Sequence, residues 1–442
     1  MPQPDPVHSD DALPRKTGVV VIGGGIIGTS TALELAERGI DVVLCEKGEI
    51  AGEQSSRNWG WCRQMGRDIR EIPLILEAMK LWRGMDKRIG ASTGYTECGI
   101  AYVSETEEEM AAREQWLDEC ARPYQLSSHI IDGDKVAELL PGSTTRWKGA
   151  LYTPNDGRAE PQMAAPAIAR AIRAAGGKVF TNCAVRGFET SAGKIAGVVT
   201  EKGPIACDNI VLAGGAWSRR FCGNANVKLK QLSVIGSVQR TAPIETGLET
   251  SFSGGRFAVR KRADGGYTVT HRHLSVADIV PASFPQFFDF LPALRMDWNG
   301  LKLRLGSRFF DEARLANRWS LDQTSPFEMV RTLDPEPIPA ILDEALASLK
   351  AHYPVFDGIE ITERWGGCID ATPDAVPVIS AVDHIPGFHL ATGFSGHGFG
   401  IGPGAGKLMA EIVTGATPCV DPEPFRYSRM VDGTRMIPMA GV

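Results

Sequence analysis

Gly23, Gly25 and Gly28 stand as G-x-G-x-x-G between an apolar run, Val19 to Ile22, and a stretch with helical spacing, Ile26 to Arg38. A second apolar run, Ile40 to Cys45, follows and closes on Glu46. This pattern is suited to gripping a diphosphate. The first glycine lets the chain turn tightly, the second lets a pyrophosphate approach the backbone, and the third lets helix and strand pack closely. Unpaired amides at the helix start, with the helix dipole, stabilise phosphate charge. Glu46, at the tip of the second strand, is placed to accept hydrogen bonds from an adenosine ribose. The unit predicts dinucleotide binding. It does not choose between NAD and FAD, which share the adenylate half.

Composition bounds what the unit belongs to. With 442 residues the chain can bury a large core and divide into two or three lobes. A formal net charge of −6 gives no reason to expect nucleic acid as a partner. No window nears ~18 consecutive apolar residues, and the N-terminus lacks the basic-then-apolar pattern of a leader, so no stable membrane insertion is expected. The nine cysteines are scattered and never spaced C-x-x-C, which fits a reducing, cytoplasmic setting. His271 and His273 form an H-x-H pair with no third ligand at suitable spacing, so no metal is expected. The acidic stretch 105–109 reads as a solvated helix start.

Three further motifs carry a resemblance. "EKGEIAGEQSSRNWGWCRQ" follows the second strand, "TNCAVRGFETSAGKIAGVVTEKGPIACDNIVLAGGAWSRRF" lies mid-chain, and "GFHLATGFSGHGFGIGPGAGKLMAEIVTG" lies near the end. In this order they resemble the D-amino-acid-oxidase-like superfamily of FAD enzymes, so the resemblance implies FAD. It implies that Ile26, Ile27, Lys47, Gln54, Ser55, Ser56 and Arg57 wrap the diphosphate and flavin, and that backbone at Val185 meets the adenine. Ala213, Gly214 and Trp217 would let the cofactor lie close, with Gly366, Gly393, Gly396, Gly398, Phe399 and Gly400 around the flavin. A helix from about Gly402 would bring positive dipole to the flavin pyrimidine. "SPFE" and "ATPDAVPVIS" are similar to the bacterial membrane-associated L-amino-acid deaminases, although those begin with a hydrophobic anchor that this sequence lacks. Trp61 also stands where a polar pocket residue is expected. Some sarcosine oxidases tether FAD through a cysteine aligning with Gly367, one residue from Cys368, so non-covalent FAD is expected.

The expected fold is α/β, with a discontinuous Rossmann-type FAD-binding domain and an α+β substrate domain with a mixed or antiparallel sheet. The cofactor domain is assigned to 15–90, 150–228 and 375–442, the substrate domain to 91–149 and 229–374, and 1–14 to a disordered tail. The aromatic, proline-rich segment 281–354 is an insertion, read as a lid or core-packing loop.

Oxidation of an amino acid needs a carboxylate anchor, best supplied by a guanidinium. Superfamily members that act on D-amino acids or glycine carry it just before T-P-D, where this sequence has Ile369 and Asp370. Arg272, on a predicted strand with His271 and His273 on the opposite face, matches the carboxylate-binding position of the L-amino-acid deaminases. His397 lies beside the flavin ring by family likeness, and Trp61, Trp365 and Phe394 are candidate pocket walls. The resemblance implies oxidative deamination of an L-α-amino acid, with electrons passed to oxygen or a quinone-type acceptor. Asp370 suggests a basic side chain such as that of arginine or lysine. Alternatives are a D-amino-acid or secondary-amine dehydrogenase and, in a different class, a non-catalytic or tRNA-modifying flavin domain.

Overall fold

Four buried residues, Val19–Ile22, form a central strand whose neighbours on both sides are parallel, an arrangement that favours apolar side chains on both faces. The computed structural model, which describes residues 2–439, places this strand in a six-stranded sheet. The order across it is Val378–Ala381, Phe388–Thr392, Asn209–Leu212, Val19–Ile22, Val42–Cys45 and Lys178–Phe180. Only the edge pair of Val378–Ala381 with Phe388–Thr392 is antiparallel. The chain leaves this sheet after Cys45, after Phe180 and after Leu212 and returns each time, as expected of a discontinuous Rossmann-type unit.

Helix Ile26–Glu37 crosses behind the first strand and packs on the last long helix, Gly398–Thr414. Their approach needs glycine: a Cβ on Gly406 would stand 2.5 Å from Ser30 Cβ. The last helix begins at Gly398, four residues before the expected start. Its early glycines pack against neighbours rather than forming a turn.

A second, ten-stranded sheet holds Ile100–Ser104, His129–Asp132, Gly149–Thr153 and the strands between Leu232 and Ala371. It is mainly antiparallel, with parallel pairs at Ser251–Gly254 with Ile100–Ser104 and at Ser275–Asp278 with Leu301–Arg304. The strand Gly149–Thr153, which straddles the boundary drawn from sequence between 149 and 150, pairs within this sheet. Arg260 and Glu160 join the two parts through a buried two-pronged contact of 2.8 and 3.1 Å.

The N-terminal segment expected to be disordered forms no long element, yet it is tied down. Asp5 N donates to Gln162 O at 2.9 Å, Val179 N donates to Asp10 Oδ2 at 2.7 Å, and Leu13 packs against the core. The insertion contains helix Phe287–Met296, none of whose residues is buried, and Phe288 is 82% exposed. Among the described residues no helix is long and apolar enough to cross a membrane.

Candidate active site

The carboxyl ends of the first-sheet strands open into a cleft of about 1220 Å³, where such folds place their ligands. Gly23, Gly25, Ile26 and Ile27 line it from the first turn, with Ser55 Oγ accepting the Ile26 amide at 2.9 Å. Glu46 lies at the next strand tip, its oxygens accepting the amides of Gly24 at 2.6 Å and Gly48 at 2.7 Å. Burial raises its pKa above the ordinary carboxylate range, against Lys47 and these two amides. Its remaining lone pairs can accept ribose hydroxyls. Lys47 Nζ contacts Glu53 Oε1 at 2.7 Å and stands over the Trp217 ring, while Trp217 Nε1 donates to Glu53 at 3.0 Å.

The cleft fits a dinucleotide. A Cβ on Gly25 would come within 2.9 Å of Ser55 Oγ, and Ala213, Gly214 and Gly215 keep the facing wall low. Gln54 Oε1 is buried without a hydrogen-bond partner.

A second cavity of about 910 Å³ continues from the first, and Gln54, Asn58, Ile369, Gly396 and Phe399 line both. Its walls include Trp59, Trp61, Arg63, Arg67, Thr270 and His397. Trp61 is held edge-on to Trp59, with ring centroids 5.5 Å apart, and Arg260 fixes this turn by donating to Trp59 O. His397 caps the last helix, its Nδ1 3.2 Å from Oε2 of the fully buried Glu71.

The expected cofactor residues Gly23, Gly25, Ile26, Ile27, Glu46, Lys47, Gln54, Ser55, Val185, Ala213, Gly214, Trp217, Gly396, Gly398 and Phe399 line the first cleft. Gly28, Ser56, Gly366 and Gly393 stand behind it. Gly366 O accepts from Arg57 at 3.1 Å, and Gly393 N donates to Asp370 at 2.7 Å. Arg57 and Gly400 line the second cavity instead. The Arg57 guanidinium is committed to Asp334 at 2.6 Å.

Among the expected substrate residues, Trp61 and His397 line the second cavity, while Phe394 and Asp370 line the first. Asp370 is buried, which raises its pKa, and accepts from Gly393 N, Thr392 and Gln231. It is thus a brace for the 392–396 loop, not a lining residue of the second cavity. Trp365 lines neither cavity and donates to Arg57 O at 3.0 Å. Arg272 also lies outside both linings. The strand ends at His271, so alternation no longer governs Arg272, and its guanidinium contacts Glu109 at 3.2 Å. Of the insertion, Phe327 lines the first cavity, and among the described residues none of 281–354 lines the second.

Arg63, Arg67 and Glu71 were not singled out by sequence. Their signal was a pair of arginines four apart, followed by an acid four further on, directly after Trp61. Cys368 accepts from Arg308 Nη1 at 3.2 Å, and burial raises its thiol pKa.

Comparison with known proteins follows this geometry. Over 96% of both chains, the fold is similar to an L-amino acid deaminase from Proteus myxofaciens in complex with anthranilate, with a TM-score of 0.93 and 37% identity. Glycine oxidase of Pseudomonas putida is 24% identical, over 92% of this chain and 97% of that protein. The 4-methylaminobutanoate oxidase (formaldehyde-forming) of Paenarthrobacter nicotinovorans is also 24% identical over 93% of this chain, which spans only 45% of that longer protein. The FAD dependent oxidoreductase family model matches residues 18–412. A cleft suited to a dinucleotide and a match over nearly the whole chain lead to one assignment: the chain belongs to the FAD-dependent oxidoreductases of this family.

Proposed function

We propose that the chain oxidatively deaminates an L-α-amino acid to its 2-oxo acid and ammonia. The observation that supports this reading is the second cavity, which continues from the cofactor cleft and carries buried guanidinium groups suited to a carboxylate. Gly23, Gly25, Glu46, Ser55 and Trp217 would hold FAD. Bound FAD supplies the acceptor for the two electrons that leave the substrate α-carbon as hydride. The amine gives up a proton, and the imino acid takes up water and releases ammonia. The protein's part is to orient the α-carbon through its carboxylate and to exclude water with Trp59, Trp61 and Phe399. The electrons then pass to oxygen or another acceptor.

The likeness to glycine oxidase and to an oxidase of a methylated amine supports a second reading, oxidation of a glycine-like or secondary amine. A panel of L- and D-amino acids and sarcosine, read by bleaching of FAD without oxygen, separates the two. Bleaching by L-amino acids well ahead of their D-forms and of sarcosine is expected. Preference for sarcosine or a D-amino acid selects the second reading.

A further inference from the structure

His397 reaches the second cavity backed by a carboxylate. It lines that cavity, and its neighbours Gly396 and Phe399 line the cofactor cleft as well, so it stands where the two spaces join. Its backbone is held there: His397 N donates to Phe394 O at 2.8 Å, and His397 O accepts Arg67 Nη2 at 3.4 Å. Nδ1 is buried 3.2 Å from Glu71 Oε2, whereas the side chain as a whole is 24% exposed. The ring thus turns Nδ1 to the interior and leaves Nε2 on its open edge. Glu71 is fully buried, and neither of its oxygens accepts a hydrogen bond. A carboxylate in that state needs positive charge beside it. Arg67 supplies part from 4.0 Å, and an imidazolium at His397 would supply more from closer by. A carboxylate behind a histidine orients the ring and stabilises the imidazolium that proton uptake creates.

The remaining surroundings oppose a resting proton on the ring. Burial lowers the His397 pKa, Glu71 pulls it up, and Arg67 and Arg63 push it down again. Of the other charged or titratable groups on this cavity, Arg57 is paired with Asp334, and His271 accepts the amides of His273 and Leu274 on Nδ1. The resting imidazole is therefore neutral, and with its proton on Nδ1, toward Glu71, Nε2 is an acceptor. An amino acid arrives with its nitrogen as ammonium, which has no lone pair to drive the departure of hydride. Deamination therefore needs an acceptor for that proton.

We propose that His397 is the general base of the deamination, taking a proton of the substrate α-ammonium on Nε2, and that Glu71 is the positioning residue behind it. This rests on the amino-acid reading above. The N–H bond breaks with its electron pair left on nitrogen, and the proton passes to Nε2. That pair forms the C=N bond as the α-hydrogen leaves with its two electrons for bound FAD. Glu71 holds the imidazolium until the ring returns its proton to solvent.

Purified holoenzyme without oxygen is mixed with its preferred L-amino acid over a range of pH, and the rate of FAD bleaching is followed. His397→Gln should slow bleaching about 100-fold or more near neutral pH. The deficit should shrink about tenfold per pH unit as the substrate's own ammonium pKa is approached, because free amine needs no base. A purely structural loss would slow bleaching equally at every pH. A second measurement needs neither turnover nor a variant. Holoenzyme is titrated with α-aminoisobutyrate, which has no α-hydrogen to lose, and with isobutyrate, which has no amine, and the change in FAD absorbance is read. Below the His397 pKa a protonated ring repels an ammonium, so affinity for α-aminoisobutyrate should fall by up to about tenfold per pH unit. Affinity for isobutyrate should hold or rise. A deficit in His397→Gln that is the same at every pH, or two ligands whose affinities vary alike, overturns the base and leaves amino-acid oxidation standing. If no amino acid of either hand bleaches FAD, the amino-acid reading falls and the base falls with it.

Discussion

Nδ1 of His397 lies 3.2 Å from Oε2 of Glu71, yet neither Glu71 oxygen accepts an aligned hydrogen bond. The contact is one of charge. Burial alone would raise Glu71, but His397 and then Arg67 hold it below the ordinary carboxylate range. Burial lowers His397 against the opposing pull of Glu71. Glu71 therefore favours the protonated imidazole, and Glu71→Gln should depress the His397 pKa further. If His397 titration shapes catalysis, the acidic limb of kcat/KM against pH should move to lower pH in Glu71→Gln. A limb that stays in place or moves upward excludes His397 from that role.

Glu46 accepts two backbone amides and keeps lone pairs for the cofactor. Glu46→Ala should weaken FAD by about 1.5–3 kcal/mol, or roughly 10- to 150-fold in Kd. Reconstitution of apoprotein, followed by the quenching of FAD fluorescence, measures this. Acid denaturation of the unmodified holoenzyme should release all its FAD into the supernatant. Flavin that precipitates with the chain would show a covalent link.

Gly28 supports the cleft from behind. A Cβ there would sit 1.9 Å from Gly23 O and 3.4 Å from the Ala213 Cβ. Backbone cannot swing aside as a side chain does, so Gly28→Ala should cost on the order of 1–3 kcal/mol or more. A lowered Tm together with reduced FAD content is the expected result, and an unchanged Tm would show that helix and strand separate freely.

The first βαβ unit was legible because its signals are local: a continuous apolar strand, glycines at the turn and an acid at the next strand tip. The last helix was legible as an element, but not its start. Gly398 and Gly400 read as turn residues, whereas a Cβ on Gly400 would crowd Trp61 O at 3.1 Å, a contact made by distant packing. Arg63 and Arg67 escaped notice for a similar reason. They become cavity walls only because Trp61–Cys62 pairs with Gly157–Arg158, about a hundred residues away in sequence. Arg272 was singled out by its match to a family position together with strand alternation, and alternation holds only while the strand lasts. Here the strand stops one residue short.

His389 gives the clearest test of pH dependence because it lies away from both cavities. It is 6% exposed on the strand Phe388–Thr392, with Nε2 3.2 Å from Asn209 Oδ1. Desolvation lowers its pKa to about 4. The unfolded chain, with an ordinary histidine pKa near ~6.5, takes up the proton first as pH falls. Its contribution is therefore fully present above about pH 6.5 and is lost progressively down to about pH 4, below which both states are protonated. Between pH 8 and pH 5 this linkage removes about 2 kcal/mol. Buried carboxyls with raised pKa values, Asp156 at about 6 among them, act with the opposite sign, so the total slope is not diagnostic. The difference between two chains is. His389→Gln retains an amide for Asn209 and removes the titration, so its Tm should fall less than that of the unmodified protein between pH 8 and pH 5. Parallel Tm curves would show that His389 takes up its proton equally readily in the folded and unfolded chains.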